Sequence, residues 1–501
     1  MASQRRARQG RETASRRAGS ARRPQPGRPA DLPRRTAYDV LAAVHEREAY
    51  ANLLLPRLLA ERSVTGRDAA LATELTYGTL RGLGTYDAVL AACSDRPLDK
   101  LDPPVLTVLR LGAHQLLATR VGAHAAVATS VDLVKAVAGP RASGYVNAVL
   151  RRVATRDLDE WLAIVAPAPE SDPDGYLAVR YSYPRWIVRA YRDALGDAAE
   201  AELAAALAAG SERPRVTMAA FPAGPGRDAV LPDGAEPCRW SPFGFTLPGG
   251  DPSVLIADGR AAVQDEGSQL AAIALAAVPV DGAPADSGAG AWLDMCAGPG
   301  GKARLLYGLA SVESPGRPPR LIAADIHPHR AALVAAALAR SGEPDVTRPP
   351  HSRAGQAGYA VIVADGQRPP WRDGGFDRVL VDVPCTGLGA LRRRPEARWR
   401  KSESDLPSLA QVQRGLLRSA IAACRPGGVV AYVTCSPLPA ETSDVVTDVV
   451  RTAGDVEVLD APAVLSDVPA VRAASPRFAQ LWPHRHGTDA IFVALLRRGT
   501  Q

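Results

Sequence analysis

The stretch Ala291-Trp292-Leu293-Asp294-Met295-Cys296-Ala297-Gly298-Pro299-Gly300-Gly301-Lys302 decides the fold. A short apolar run ends on an acid and breaks at once into a glycine-rich loop. Glycines let the backbone approach a ligand closely, and the loop feeds a helix N-terminus, whose free N–H groups attract electronegative ligand atoms. It is not a Walker A loop, which needs Gly where Cys296 stands and Ser or Thr where Ala303 stands. The G-x-G-x-x-G spacing is also missing. A nucleoside-type ligand without a polyphosphate suits the loop best.

Downstream the strand-then-acid pattern repeats. Further strands are expected at Leu321–Ala324, Tyr359–Val363, Val379–Val381 and Val429–Val433, with helices at Arg330–Arg340 and Leu409–Cys424. Such alternation predicts a mostly parallel sheet with helices on both faces and a ligand beyond the carboxyl ends of the strands. Asp325 ends the second strand, where a carboxylate can accept hydrogen bonds from both hydroxyls of a ribose. Asp365 ends the third and is placed for an adenine amino group. Asp382-Val383-Pro384-Cys385 follows one strand and Thr434-Cys435-Ser436 the next. If those strands are neighbours, their ends lie about 5 Å apart and both thiols face one pocket. As a thiolate, Cys is a strong nucleophile. Close behind Cys385, residues 392–401 hold six basic residues and one acid. There Arg392, Arg393, Arg394, Arg398, Trp399 and Arg400 suit phosphate contact and base stacking. Two His-x-His pairs, at 327/329 and 484/486, lack an evident third ligand, so no metal is expected.

Upstream the pattern changes. From Thr36 to Val153 apolar residues recur at helical spacing, as in Val40, Leu41, Val44 and Leu71, Leu75, with Asp102-Pro103-Pro104 marking a helix start. This reads as an all-α bundle over 34–157. Residues 166–262 read as a small connecting α/β subdomain, with a helix over Trp186–Ala208 and short strands after it. The 501 residues carry a net charge of +7, yet residues 1–35 alone hold eleven Arg and two acids. The basic balance therefore belongs to a tail, 1–33, expected to be disordered: an electrostatic arm for RNA or a solubilising segment. Nothing reads as a membrane span or secretory signal, and six scattered Cys without a C-x-x-C suggest neither a disulfide framework nor a zinc ribbon. A reducing cytoplasm is the default.

Together, Asp294–Lys302, Asp382–Cys385 with Thr386-Gly387, Thr434-Cys435-Ser436 and Gln264–Gln269 resemble the motif set of S-adenosylmethionine-dependent RNA 5-methylcytosine methyltransferases. Arg393–Trp399 resembles a stretch of the ribosomal RNA branch. Glu74–Arg81, Leu109–Gln115 and Val146–Arg152 resemble the NusB-type RNA-binding domain. The fusion resembles the RsmB family, also called Sun or Fmu. The resemblance implies a NusB-like bundle, a connecting subdomain and, over 263–499, a Rossmann-like methyltransferase fold with a mostly parallel seven-stranded sheet. It further implies S-adenosylmethionine held by Cys296, Ala297, Gly298, Pro299, Gly300, Gly301, Lys302, Asp325, Asp365 and Asp382. The expected reaction is methylation of a cytosine in small-subunit ribosomal RNA. By resemblance Cys435 attacks and Cys385 assists release; Asp382 is expected to contact the cytosine edge and Lys302 to help place the base or the cofactor. The residues alone leave the roles of the two cysteines open. A monomer is expected. A transfer RNA methyltransferase and a non-catalytic ribosome-assembly factor are the competing readings.

Overall fold

The computed structural model describes residues 31–249, 252–282, 290–313, 320–340 and 358–500. Most of the basic tail, residues 1–30, lies outside them. Residues 31–33, expected to belong to that tail, instead open the first helix. Asp31 caps Leu32–Glu46 by accepting the Arg34 N–H at 3.2 Å, and a proline occupies the first turn, where its missing donor costs nothing.

Seven more helices complete the N-terminal bundle: Ala51–Glu61, Gly66–Arg81, Leu83–Cys93, Pro103–Ala118, Ala123–Val137, Ser143–Val153 and Leu158–Val165. The apolar positions that set the helical period (Val40, Leu41, Val44, Leu75, Leu109) are buried in one core. The last helix lies past the expected boundary at 157. Its Trp161 enters the same core and donates Nε1–H to the Val153 carbonyl at 2.9 Å.

Three helices follow, Pro173–Tyr181, Arg185–Leu195 and Ala199–Ala209. The single helix expected over 186–208 breaks at Gly196, whose φ of +55° leaves the helical region. A small antiparallel sheet then pairs Val216–Ala220 with both Gly244–Leu247 and Ala261–Val263, with Glu236–Pro237 on its edge.

The main sheet contains β1 (Ala291–Asp294), β2 (Arg320–Asp325), β3 (Tyr359–Val363), β4 (Phe376–Asp382), β5 (Cys424–Thr434), β6 (Val456–Val458) and β7 (Phe492–Arg498). Their order is β3-β2-β1-β4-β5-β7-β6, and a two-residue strand, Ala479–Gln480, also pairs with β7. β1 to β5 are parallel; β7 runs antiparallel to β5 and β6 antiparallel to β7. Both faces are covered. Trp292, Leu380, Val429, Ala431 and Val433 enter the core on one face, and Leu293, Val379, Val381, Val430 and Tyr432 the core on the other. This two-sided burial is why the strands read as continuous apolar runs rather than as alternating ones. From β1 the chain steps outward to β2 and β3, then crosses back to β4 on the other side. In open α/β sheets the ligand site lies at such a reversal, beyond the carboxyl ends of the strands.

Candidate active site

Acids stand at the strand ends beside this reversal: Asp294, Asp325 and Asp382. The loop after β1 is shaped by two glycines. Gly300 has φ +111°, and a Cβ there would stand 2.8 Å from the Ala337 Cβ. A Cβ on Gly298 would meet Asp325 Oδ2 at 2.5 Å. The close approach allows the Gly298 N–H to donate to that same oxygen at 3.1 Å, while the His327 N–H donates to Asp325 Oδ1 at 2.9 Å. Asp365 sits just past β3, half-buried, with Oδ1 accepting the Gln367 N–H at 2.9 Å.

Asp294, the first of the three strand-end acids, ends β1 and opens the glycine loop. It is fully buried, and apart from the nearby Cys296 N–H its carboxylate oxygens have no hydrogen-bond partner among the described residues. Burial, reinforced by the neighbouring Asp382, pushes its carboxyl up to about 8. An acid held this way suits a cationic ligand group that would pair with it on binding. Asp294, Asp325 and Asp382 around a tight glycine loop therefore fit a nucleoside ligand that carries an ammonium, a sulfonium and ribose hydroxyls. Cys296 within the loop is unsuited to nucleophilic work, because burial raises its thiol far above the ordinary range.

The two cysteines meet. Cys385 Sγ lies 3.4 Å from Cys435 Sγ. β4 and β5 are adjacent and parallel, and the pairing continues past the end of β4, where the Val383 N–H donates to the Val433 carbonyl at 3.0 Å. Glu441, not anticipated from the sequence, fixes the two turns together. Its buried carboxylate accepts from the Thr386 N–H (2.8 Å), the Thr386 hydroxyl (2.6 Å) and the Ser436 hydroxyl (2.5 Å), the residues directly after each cysteine. The Gly389 N–H also donates to the Cys435 carbonyl at 2.8 Å, at a place where a Cβ would stand 2.1 Å from the Ala490 carbonyl oxygen.

Lys302 completes the group. Its Nζ donates to Asp382 Oδ2 at 2.8 Å and to the Ser268 hydroxyl at 3.2 Å. Burial alone would lower the Lys302 pKa, but the Asp382 carboxylate outweighs it and holds the ammonium above its usual range, with Cys435 adding to the effect. The Cys385 thiol is raised well above its ordinary value by its hydrogen bond with Cys435 and by burial.

The basic run does not form the exposed patch expected of an RNA surface. Arg392 is buried and Arg393 largely so. Arg392 donates to Asp265 Oδ1 at 2.7 Å and Asp489 Oδ1 at 2.6 Å, and Arg393 to Asp265 Oδ1 at 2.6 Å and Asp489 Oδ2 at 3.0 Å. Arg398 is 0% exposed. Its guanidinium donates to the carbonyls of Arg81, Ser182 and Gly210 and lies 3.9 Å from the centre of the Tyr183 ring. Arg400 donates to the carbonyls of Val44 and Ala49. These four side chains fasten the segment to the bundle, the connecting helices and the C-terminal turn. Only Arg394 and Trp399 of the expected set are exposed.

The histidine pairs are engaged elsewhere. The His327 and His329 rings lie 5.5 Å apart, His484 bonds Glu202 at 2.7 Å, and His486 accepts the Trp482 N–H at 2.8 Å. Among the described residues no three metal-ligating side chains cluster. No described helix is long and apolar enough to cross a membrane.

Comparison with known proteins agrees with this architecture. The crystal structure of PH0851 superposes with a TM-score of 0.73, covering 94% of this chain and 99% of that one at 21% identity. Its likeness establishes the fold. The strand order and the acid-lined glycine loop define the methyltransferase class of α/β enzymes, here preceded by a helical domain. The family described as "16S rRNA methyltransferase RsmB/F" matches residues 283–497, and the NusB family matches residues 31–155. Two Mycobacterium tuberculosis proteins, provisionally named methyltransferases, are 49% identical over 94% of this chain and 98% of theirs. The ribosomal RNA small subunit methyltransferase B of Pseudomonas putida is 31% identical over 93% of this chain and 98% of its own. The chain belongs to the RsmB/F family of methyltransferases, with a NusB-family domain at its N-terminal side.

Proposed function

We propose that this protein transfers a methyl group from S-adenosylmethionine to carbon 5 of a cytosine in small-subunit ribosomal RNA, through a covalent bond between Cys435 and the base. The observation that carries the reading is the pair of thiols 3.4 Å apart beside the Lys302–Asp382 ion pair. A methyltransferase acting on oxygen or an exocyclic nitrogen needs no such pair. Carbon 5 of cytosine is a poor nucleophile, and a thiolate added at carbon 6 makes it enamine-like, splitting one difficult step into two.

The loop Cys296–Lys302 with Asp294, Asp325 and Asp365 would hold the cofactor, which supplies an electrophilic methyl group when bound. Asp382 accepts a hydrogen bond from the cytosine amino group, and Lys302 holds Asp382 in place. Cys435 forms the bond to carbon 6 while the Lys302 ammonium stabilises its negative charge. Cys385 assists at release: the carbon 5 proton passes to the Cys385 sulfur as that thiol gives its own proton to solvent, the C–H electron pair restores the ring double bond, and the Cys435–carbon 6 bond breaks to return Cys435 as a thiolate. The base must leave its stack to reach the thiols. We place the enzyme in the cytoplasm, as a monomer acting on protein-free or partly assembled RNA.

Two variants test this. Cys435→Ala abolishes methylation, and Cys385→Ala accumulates a covalent protein–RNA adduct on a denaturing gel. Residual activity in the first, or no adduct in the second, overturns the assignment of roles. Bisulfite sequencing of RNA from a deletion strain checks the substrate. A lost 5-methylcytosine in transfer RNA, or none lost, favours the competing readings.

A further inference from the structure

Glu396, Trp399 and Arg400 close a cavity of about 290 Å³ against the first, third, fourth and fifth helices of the N-terminal bundle, apart from the two cysteines. Three features of its wall point to one kind of ligand. Trp399 lines it with an indole that is 39% exposed, seated on Gly84, where a Cβ would stand 2.5 Å from the ring. Glu396 lines it too and is 3% exposed. One of its carboxylate oxygens accepts the Ala51 N–H at 3.2 Å, while the other, Oε2, has no hydrogen-bond partner among the described residues. A buried acceptor left without a donor is costly, so its presence marks a place for a donor from outside. Arg400 forms part of the wall and reaches the Tyr50 ring at 5.2 Å, where Arg394 approaches at 5.6 Å. Tyr50 is itself half-exposed, so an aromatic ring flanked by two guanidiniums stands beside the cavity.

An aromatic surface, an under-used carboxylate and a cationic rim are the elements of nucleotide recognition. We propose that this cavity receives an unpaired guanine of the RNA substrate, stacked on Trp399 and read by Glu396. The inference rests on the RNA reading given above. Guanine is the base whose pairing edge offers adjacent N–H donors, from its ring nitrogen and its amino group, to a carboxylate. Adenine and cytosine each set a ring-nitrogen acceptor beside their amino group, which a carboxylate repels. The volume is at the low end for small-molecule pockets and fits one base, with its sugar and phosphate left at the Tyr50 rim. The segment that carries Glu396 and Trp399 continues directly from the Cys385 turn, so a guanine held here sets the position of the RNA relative to the thiols.

The test is a titration of the full chain, saturated with S-adenosylhomocysteine to block the cofactor crevice, with guanosine and adenosine 5′-monophosphates, read by ligand-observed NMR. Guanosine monophosphate is expected to bind at least five-fold tighter than adenosine monophosphate. Trp399→Leu, which keeps the apolar contact with Gly84, weakens it at least five-fold. Glu396→Gln, which keeps an acceptor for the Ala51 N–H, removes the preference for guanine. On protein-free small-subunit ribosomal RNA, the same variants raise the KM for RNA at least five-fold, with a much smaller change in kcat. Equal binding of the two nucleotides, guanosine monophosphate binding insensitive to Trp399→Leu, or an unchanged KM overturns the proposal. The nucleotide arm needs no turnover. A wild-type protein that methylates no RNA but binds guanosine monophosphate through Trp399 therefore sinks the proposed function and spares the pocket.

Discussion

Arg398→Met separates the two readings of the basic segment. In the structure the Arg398 guanidinium is fully buried and donates to the carbonyls of Arg81 (3.1 Å), Ser182 (3.1 Å) and Gly210 (2.8 Å) and to the Ser211 hydroxyl (3.0 Å). These acceptors belong to the bundle and the connecting helices, so one side chain ties three parts of the chain together. Met keeps most of the packed stem and removes all four donors. Hydrogen bonds from a charged group are worth about 1.5–3 kcal/mol each, and a buried acceptor left unsatisfied costs about 1–3 kcal/mol. Loss of the contact with Tyr183 adds about 1–2 kcal/mol. Against this stands the desolvation of an unpaired guanidinium, several kcal/mol, which Met relieves. Removing one member of a buried charged arrangement costs about 3–5 kcal/mol, and a loss of that size is expected here. Thermal unfolding followed by calorimetry should show the first transition several degrees lower, and hydrogen exchange should speed up near Arg81 and Ser182. A phosphate-contacting arginine behaves differently. Its loss leaves stability alone, weakens RNA binding and reduces the salt slope by about one. An unchanged melting profile together with a reduced salt slope would refute the structural role.

Three further perturbations have defined outcomes. Glu441→Gln replaces a carboxylate that accepts three hydrogen bonds from Thr386 and Ser436 with an amide that opposes one of those donors. It is expected to cost about 2–3 kcal/mol and to slow adduct formation by Cys385→Ala protein at least ten-fold; an adduct rate within two-fold of the parent shows that Glu441 does not position the thiols. Asp294→Asn tests the pH dependence. The Asp294 carboxyl rises from 3.8 to about 8 on folding, so its contribution is fully present below about pH 4 and is lost as pH rises through 8. That shift corresponds to on the order of 5 kcal/mol, and denaturant unfolding at pH 6 and pH 9 should show a smaller pH difference in the variant than in the wild type. Arg392→Met leaves the buried Asp265 and Asp489 carboxylates with Arg393 alone and should destabilise by about 3–5 kcal/mol. Adding Asp489→Asn should restore part of the loss, and a double variant no better than the single one would count against the ion-pair account.

How much was legible follows from how local each signal is. β1 to β5 were readable because burial on both faces leaves uninterrupted apolar runs, and strand-end acids such as Asp325 and Asp382 mark where those runs stop. β6 and β7 were harder. β6 is only three residues long, and β7 lies after the turn that carries Asp489, with no glycine loop or cysteine to mark it. The thiol pair was legible on the condition that β4 and β5 are neighbours, the commoner arrangement for consecutive strands, and their adjacency brings the strand ends together. Its fine spacing was not, because it depends on Glu441, a residue whose local sequence looks like the start of a surface helix.

The basic segment shows where local reading stops. Six cations within ten residues are the same string whether they face water or carboxylates, and only distant partners decide. Arg392 finds Asp265 127 positions earlier in the chain and Asp489 97 positions later. Arg398 finds no carboxylate; its donors meet carbonyls at helix ends, which carry no trace in side-chain composition. A run whose arginines bury this way changes what its remaining members can do. With Arg392, Arg393, Arg398 and Arg400 held by internal acceptors, the backbone between them is fixed, and Arg394, Glu396 and Trp399 are presented from a rigid segment rather than from a mobile loop. Rigid presentation lowers the entropy lost when RNA binds. On the proposed reading the internal arginines would serve RNA recognition indirectly: replacing one should weaken RNA binding chiefly by loosening the segment, so the loss should track the fall in stability and leave the salt slope unchanged.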